Sequence, residues 1–174
     1  PQFAESPNID SFGRLRVSVA NTLFDAQQEY GLDTRRPVLS IRPKATYNSI
    51  TNRTHIELSD FSITAATNDC YWEIVVGGTL TGASFASNGT NSVAEKDVAA
   101  TAITGGDTII SGYAAVGVGV MRGIEKSAID IRNPLVLAQI DALTANQIPV
   151  TVVCTSMTGT SNVAAAINWH EQVI

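Results

Sequence analysis

From about residue 37 onward, apolar and polar positions alternate with a period near two, the spacing of a pleated strand and not of a helix. In 71–76, Trp72, Ile74 and Val76 fall on one side, with Tyr71, Glu73 and Val75 on the other. In 112–121, Ala114, Val116, Val118 and Val120 alternate with Tyr113, Ala115, Gly117 and Gly119. The clearest run is near the end, where Val163, Ala165, Ile167 and Trp169 share one face and Ala164, Ala166, Asn168 and His170 the other. Further strands are expected at 38–43, 54–63, 126–132, 134–140 and 148–155. Ile, Val and Thr dominate these runs, as a half-buried pleated surface prefers. Roughly eight strands separated by turn formers predict an all-β sandwich, jelly-roll-like in kind. A short helix is expected at 21–30, where Asn21 or Thr22 would cap LFDAQQEY.

Two stretches break the alternation. Residues 77–92 are rich in Gly, Ser, Thr and Asn and read as a long loop or a weak edge hairpin. Residues 99–108 carry the turn signal Gly105-Gly106-Asp107. Residues 1–36 differ in kind, with few period-two runs and paired arginines at 35 and 36. The expected organisation is therefore an N-terminal arm over 1–36 and a sandwich domain over 37–174. For the arm, two arrangements fit equally: an extension lying along another subunit, or an edge strand around Leu15–Val19 followed by a loop.

Charge sharpens that division. Of 11 basic residues, seven lie in 1–53, which carries +2, while 54–174 carries −7, giving the net −5. A mildly basic leading segment can dock on an acidic body, in its own chain or in a neighbour. Seven cations diluted by five acids make a poor polyanion binder, so no nucleic-acid partner is expected. Hydrophobic residues at 44% against 16% charged exclude wholesale disorder. No apolar run nears the eighteen or so residues of a membrane span, and PQFAESPNID has no secretory n-region or h-region.

Chemistry is sparse. Cys70 and Cys154 stand apart with no Cys-x-x-Cys or Cys/His cluster, so neither a zinc site nor any cofactor is expected, and both are read as buried free thiols. His55 and His170 lie in strand-like runs, and no nucleophile elbow, zinc-protease or phosphate-loop motif accompanies them. On a regular strand His170 and Glu171 point to opposite faces, which argues against a dyad. Trp72 and Trp169 fall on apolar faces and are assigned to the core, which leaves no aromatic platform for a sugar cleft. Nothing supports an enzyme.

The two ends of the chain carry something more specific. Asn8-Ile-Asp-Ser-Phe-Gly-Arg-Leu-Arg-Val-Ser18, then Thr22-Leu-Phe-Asp25 and Tyr30, resembles a motif near the start of virion structural proteins of tailed bacteriophages. Val150-Thr-Val-Val153, Thr158-Gly-Thr-Ser-Asn-Val163 and Ala166-Ile-Asn-Trp-His-Glu171 resemble the closing strands of that group. The middle of the chain carries no such match. The resemblance implies an assembly role in a virion, made in the host cytoplasm. Phe12, Leu15 and Phe24 would then be anchors, while Arg14 and Arg16 share a strand face and could fork onto carboxylates. Asp25 offers those arginines a charge partner. They would dock on a neighbouring subunit, or pair with Asp10 or Asp25 in a self-contained corner.

The functional expectation is a non-enzymatic virion protein, foremost a capsid decoration or cement protein. It would act as a homo-oligomer, with a trimer fitting well, on other virion proteins such as the major capsid protein. The alternative is a tail-fibre or receptor-binding module that uses the polar stretch 77–92 to recognise a host glycan.

Overall fold

A computed structural model of the protein describes residues 14–25, 35–52, 54–116, 136–137 and 147–172. All regular structure among them is strand: β1 (Arg14–Asp25), β2 (Arg36–Pro43), β3 (Thr46–Tyr47), β4 (Ile50–Thr51), β5 (His55–Ala65), β6 (Cys70–Val76), β7 (Thr79–Thr81), β8 (Ala86–Ser87), β9 (Ala94–Asp97), β10 (Ala102–Thr104), β11 (Asp107–Ala114), β12 (Val136–Leu137), β13 (Val150–Ser156) and β14 (Thr160–Gln172). The four-stranded sheet 1 has the order β1-β14-β5-β12, and the six-stranded sheet 2 the order β11-β6-β13-β2-β9-β8. Every pairing is antiparallel. The protein is an all-β sandwich.

The alternation along the chain explains how the sheets pack. Ile56, Ile63, Val163, Ala165, Ile167 and Trp169 from sheet 1 meet Leu39, Ile41, Trp72, Ile74, Val150 and Val152 from sheet 2 in one buried cluster. Trp169 is fully enclosed, and Phe61 meets Trp72 edge-on across the gap with ring centroids 4.9 Å apart. Both tryptophans are core residues, as the period-two pattern requires. Cys70 and Cys154 are free buried thiols on the same inner face of sheet 2.

A small third layer covers the other face of sheet 2. β7 and β10 form a two-stranded ribbon that lays Leu80 and Ile103 on Val75 and Val153. The approach is close. A Cβ added at Gly106, where φ is +79°, would lie 2.6 Å from the Val75 methyl. The stretch 77–92 is thus part ribbon and part short edge strand, and Gly105-Gly106 turns the chain from β10 into β11. The loop between β3 and β4 places Asn48 and Ser49 at φ 50° and 64°, the conformation that a tight two-residue hairpin demands.

The helix expected at 21–30 is overturned over 21–25, where the chain continues β1. Pairing along the whole of β14 outweighs a weak local capping signal. The strand expected at 126–132 lies outside the described residues. Of those at 112–121 and 134–140, the described parts are the end of β11 and the short β12.

Candidate functional site

The leading segment does not stand away from the sandwich over its described length. β1 pairs with β14 in an unbroken register of 12 positions, from Arg14 opposite Glu171 to Asp25 opposite Thr160. Of the two arrangements that fitted the sequence, 14–25 adopts the edge strand. The same register sets Arg14–Ser18 and Thr22–Asp25, from near the start of the chain, beside Thr160–Val163 and Ala166–Glu171 from near its end, while Val150–Val153 lies in β13 of sheet 2 and positions 8–13 and 30 lie outside the described residues.

Register also assigns faces. Positions 14, 16, 18, 20, 22 and 24 stand opposite Glu171, Trp169, Ile167, Ala165, Val163 and Ser161, all of which are buried. Leu15 stands opposite His170, Phe24 opposite Ser161 and Asp25 opposite Thr160. Phe12 lies outside the described residues. Pairing of Asp25 with either arginine inside one chain is ruled out by length. Nine to eleven strand steps separate them, roughly 30 Å at the rise of an extended chain.

The chemistry at the Arg14 end centres on Glu171. Glu171 is 6% exposed, and its carboxylate accepts from Ser92 Oγ at 2.6 Å, Trp169 Nε1 at 3.0 Å and the Val93 backbone N–H at 3.2 Å. Three donors supply much of the solvation that burial removes. The sequence reading missed this residue, though the signal was present. Counting by two from Trp169 lands on Glu171, and a charge on an apolar face marks a carboxylate with partners.

A second buried charge lies at the other side of sheet 2. Arg35 Nε donates to Glu73 Oε2 at 2.9 Å, Thr108 Oγ1 donates to Glu73 Oε1 at 2.8 Å, and Arg35 Nη1 reaches the Gly105 carbonyl at 3.4 Å. These contacts tie the ribbon's turn to the strands beneath it. Arg35 Nη2, Arg36 Nε and Trp72 Nε1 are buried without hydrogen-bond partners. At the other end of β2, Arg42 pairs with Glu95 at 2.5 Å and lies over the Phe85 ring at 3.8 Å.

No group of three or more metal-ligating side chains occurs among the described residues. Desolvation raises the Cys70 thiol and raises that of Cys154 well above its ordinary value, so neither offers a ready thiolate. His170 and Glu171 lie on opposite faces, as expected from the alternation. What these residues build is an edge. β1 is the outermost strand of sheet 1, and no described strand lies beyond it.

Fold and site together define the class as an all-β sandwich whose first and last described strands form an open sheet edge. Comparison with protein-family models, with curated proteins and with solved structures finds no match for this chain.

Proposed function

We propose that the protein is a non-enzymatic structural component of a tailed-phage virion, and specifically a capsid decoration or cement protein with a jelly-roll-like sandwich. The observation that carries this reading is that the described part of the first motif, within Arg14–Asp25, and the later part of the second, within Thr160–Glu171, form one strand pair at the edge of sheet 1. Motifs placed so far apart in sequence, yet adjacent in space, describe one surface feature, and an open edge is a natural place for a partner to add. The protein would bind the assembled shell and not the free shell subunits, which favours the assembled state by mass action. Repetition around a symmetric lattice would multiply weak contacts into avidity.

Cosedimentation tests the reading. The purified chain should travel with assembled heads, remain free beside dissociated major capsid protein, and raise the temperature at which heads release their contents. Equal binding to both forms, or binding to neither, removes the proposal.

A receptor-binding role is the second reading, favoured by one feature of the ribbon. Thr79, Thr81, Thr101 and Thr104 are exposed there, giving a hydroxyl-rich surface suited to a glycan. Deleting the ribbon would uncover Val75 and Val153, so the suitable variant replaces Thr79, Thr81 and Thr104 by Ala. Loss of host-cell adsorption with head binding intact would favour this reading over decoration.

A further inference from the structure

The outer face of sheet 2 is stepped. The ribbon covers it at Val75 and Val153. Two positions back along β6 on the same face is Glu73, and two further back is Tyr71, whose ring lies 5.4 Å from that of Tyr113 on β11. Tyr113 is 60% exposed. With Trp72 and Trp169 in the core, these tyrosines supply the aromatic platform that the sequence was expected to lack.

A bulge creates the pair. Thr108 stands opposite Val75, on the outer face, and the register then shifts by one residue. Ile110 therefore stands opposite Ile74 of the core, while Ser111 and Tyr113 stand opposite Glu73 and Tyr71. Strict alternation from Thr108 would instead turn Tyr113 into the core and Gly112 outward. In the bulged strand Gly112 lies against Trp72, where an added Cβ would come within 2.7 Å of the ring. The extra residue, Ile109, thus decides which side chain of β11 meets solvent beside Tyr71.

We propose that Tyr71 and Tyr113, with Ser111, Glu73 and Arg35, form a binding site for a neutral pyranoside. A pyranose ring has an apolar C–H face that stacks on a phenol ring and a rim of hydroxyls that needs polar partners. Ser111 and Thr108 are exposed hydroxyls on the same face of β11. Glu73 accepts one bond at each carboxylate oxygen, from Arg35 and from Thr108, and each oxygen keeps a further lone pair. Arg35 is 8% exposed, and its Nη2 has no acceptor, a deficit that a sugar hydroxyl in this corner would relieve. The turn at Gly105, held by Arg35 Nη1, forms the wall of the step. Charge selects the sugar. Arg35 is already neutralised by Glu73, and residues 54–174 carry −7, so the site offers nothing to a uronate or a sialate. The assignment deepens the receptor-binding reading and rests on it for a biological role, though not for binding itself.

The test uses the full chain with carbon-labelled tyrosine rings, observed by NMR. The probes are the methyl glycosides of glucose, galactose, mannose and N-acetylglucosamine, with methyl glucuronide as the anionic comparison. At least one neutral glycoside should shift the Tyr71 and Tyr113 rings saturably and leave Tyr47, on β3, in place. Methyl glucuronide should bind more weakly than glucoside. Tyr113→Ala should lower the affinity about tenfold with its melting temperature retained, and Tyr113→Phe should keep most of it. No shift with any of the four neutral glycosides overturns the proposal, as does a Tyr113→Ala protein that binds like the wild type. Ring shifts that depend on protein concentration without sugar would also overturn it and give the platform to a second copy of the chain. Saccharide binding with host-cell adsorption unchanged in Tyr113→Ala would support the site and remove the receptor reading. Adsorption lost in that variant without saccharide binding by the wild type would overturn the site alone.

Discussion

The two sheets solve burial differently. β13, at the centre of sheet 2, is buried at all seven of its positions, because the sandwich core lies on one face and the ribbon on the other. β14, at the centre of sheet 1, alternates from Val163 to Trp169, with every second residue buried and the rest partly open. Covering sheet 2 twice forces polar groups inside. Arg35 pairs with Glu73, and the Ser40 and Thr151 hydroxyls bond each other at 2.9 Å. Sheet 1 keeps its outer face accessible, and with it the open edge at β1. β13 of sheet 2 is thus sealed on both faces, whereas β14 of sheet 1 is sealed on one.

Three perturbations test that contrast, beginning with the largest. Trp169→Ala removes the largest fully buried side chain of the shared core and one donor to Glu171. It should cost about 3–5 kcal/mol and unfold both sheets together in one urea transition. Two separated transitions would show that the sheets are independent units.

Ile103→Ala acts on the third layer alone. Its cost should fall near the low end of the range for such truncations, about 2 kcal/mol, since among the described residues the ribbon core is the small cluster of Val75, Ile103, Val153 and Leu80. Hydrogen exchange should quicken in β7 and β10 while β14 amides stay protected. Equal loosening of β14 would contradict the separation drawn above.

The smallest effect is a dependence on pH confined to sheet 2, which holds both thiols. Burial raises Cys70 and Cys154 above the ordinary value of 9.0, so the folded thiols stay protonated while unfolded ones ionise. The unfolded state therefore binds fewer protons above that value. Their contribution to stability is complete below pH 9 and declines as pH rises past it. Melting temperatures should fall more gently above pH 9 in Cys154→Ala than in the wild type, after the baseline loss at neutral pH is subtracted.

Sheet 1 was the more legible of the two. Period two gave the faces of β14 correctly, and the same rule put Trp72 and Ile74 of β6 into the core. It could not announce that Val75 lies under a further layer, or that Glu73 is buried beside Arg35 and Thr108. Whether a strand's second face is covered depends on what comes to rest there, and the Gly- and Thr-rich ribbon has little alternation of its own. β13 shows the same blindness, since VTVVCTS suits a strand buried on both faces as well as on one. At the edge, local signals misled. Asn21 and Thr22 resemble helix caps, but 12 ladder positions against β14 decide the backbone there, and nothing near residue 21 encodes that partner. Glu171 was readable in principle, Arg35 less so, because its burial depends on Gly105 and Glu73 far along the chain.

The pairing of β1 with β14 also has a consequence in time. During synthesis β1 leaves the ribosome long before Thr160–Gln172 exists. At ordinary elongation rates the delay is on the order of ten seconds, far longer than a hairpin takes to form. For that interval the strand lacks its ladder partner β14, and contacts between such distant segments are slow to find. A nascent β1 therefore carries 12 ladder positions without their strand partner until β14 is made, and slower translation lengthens that exposure.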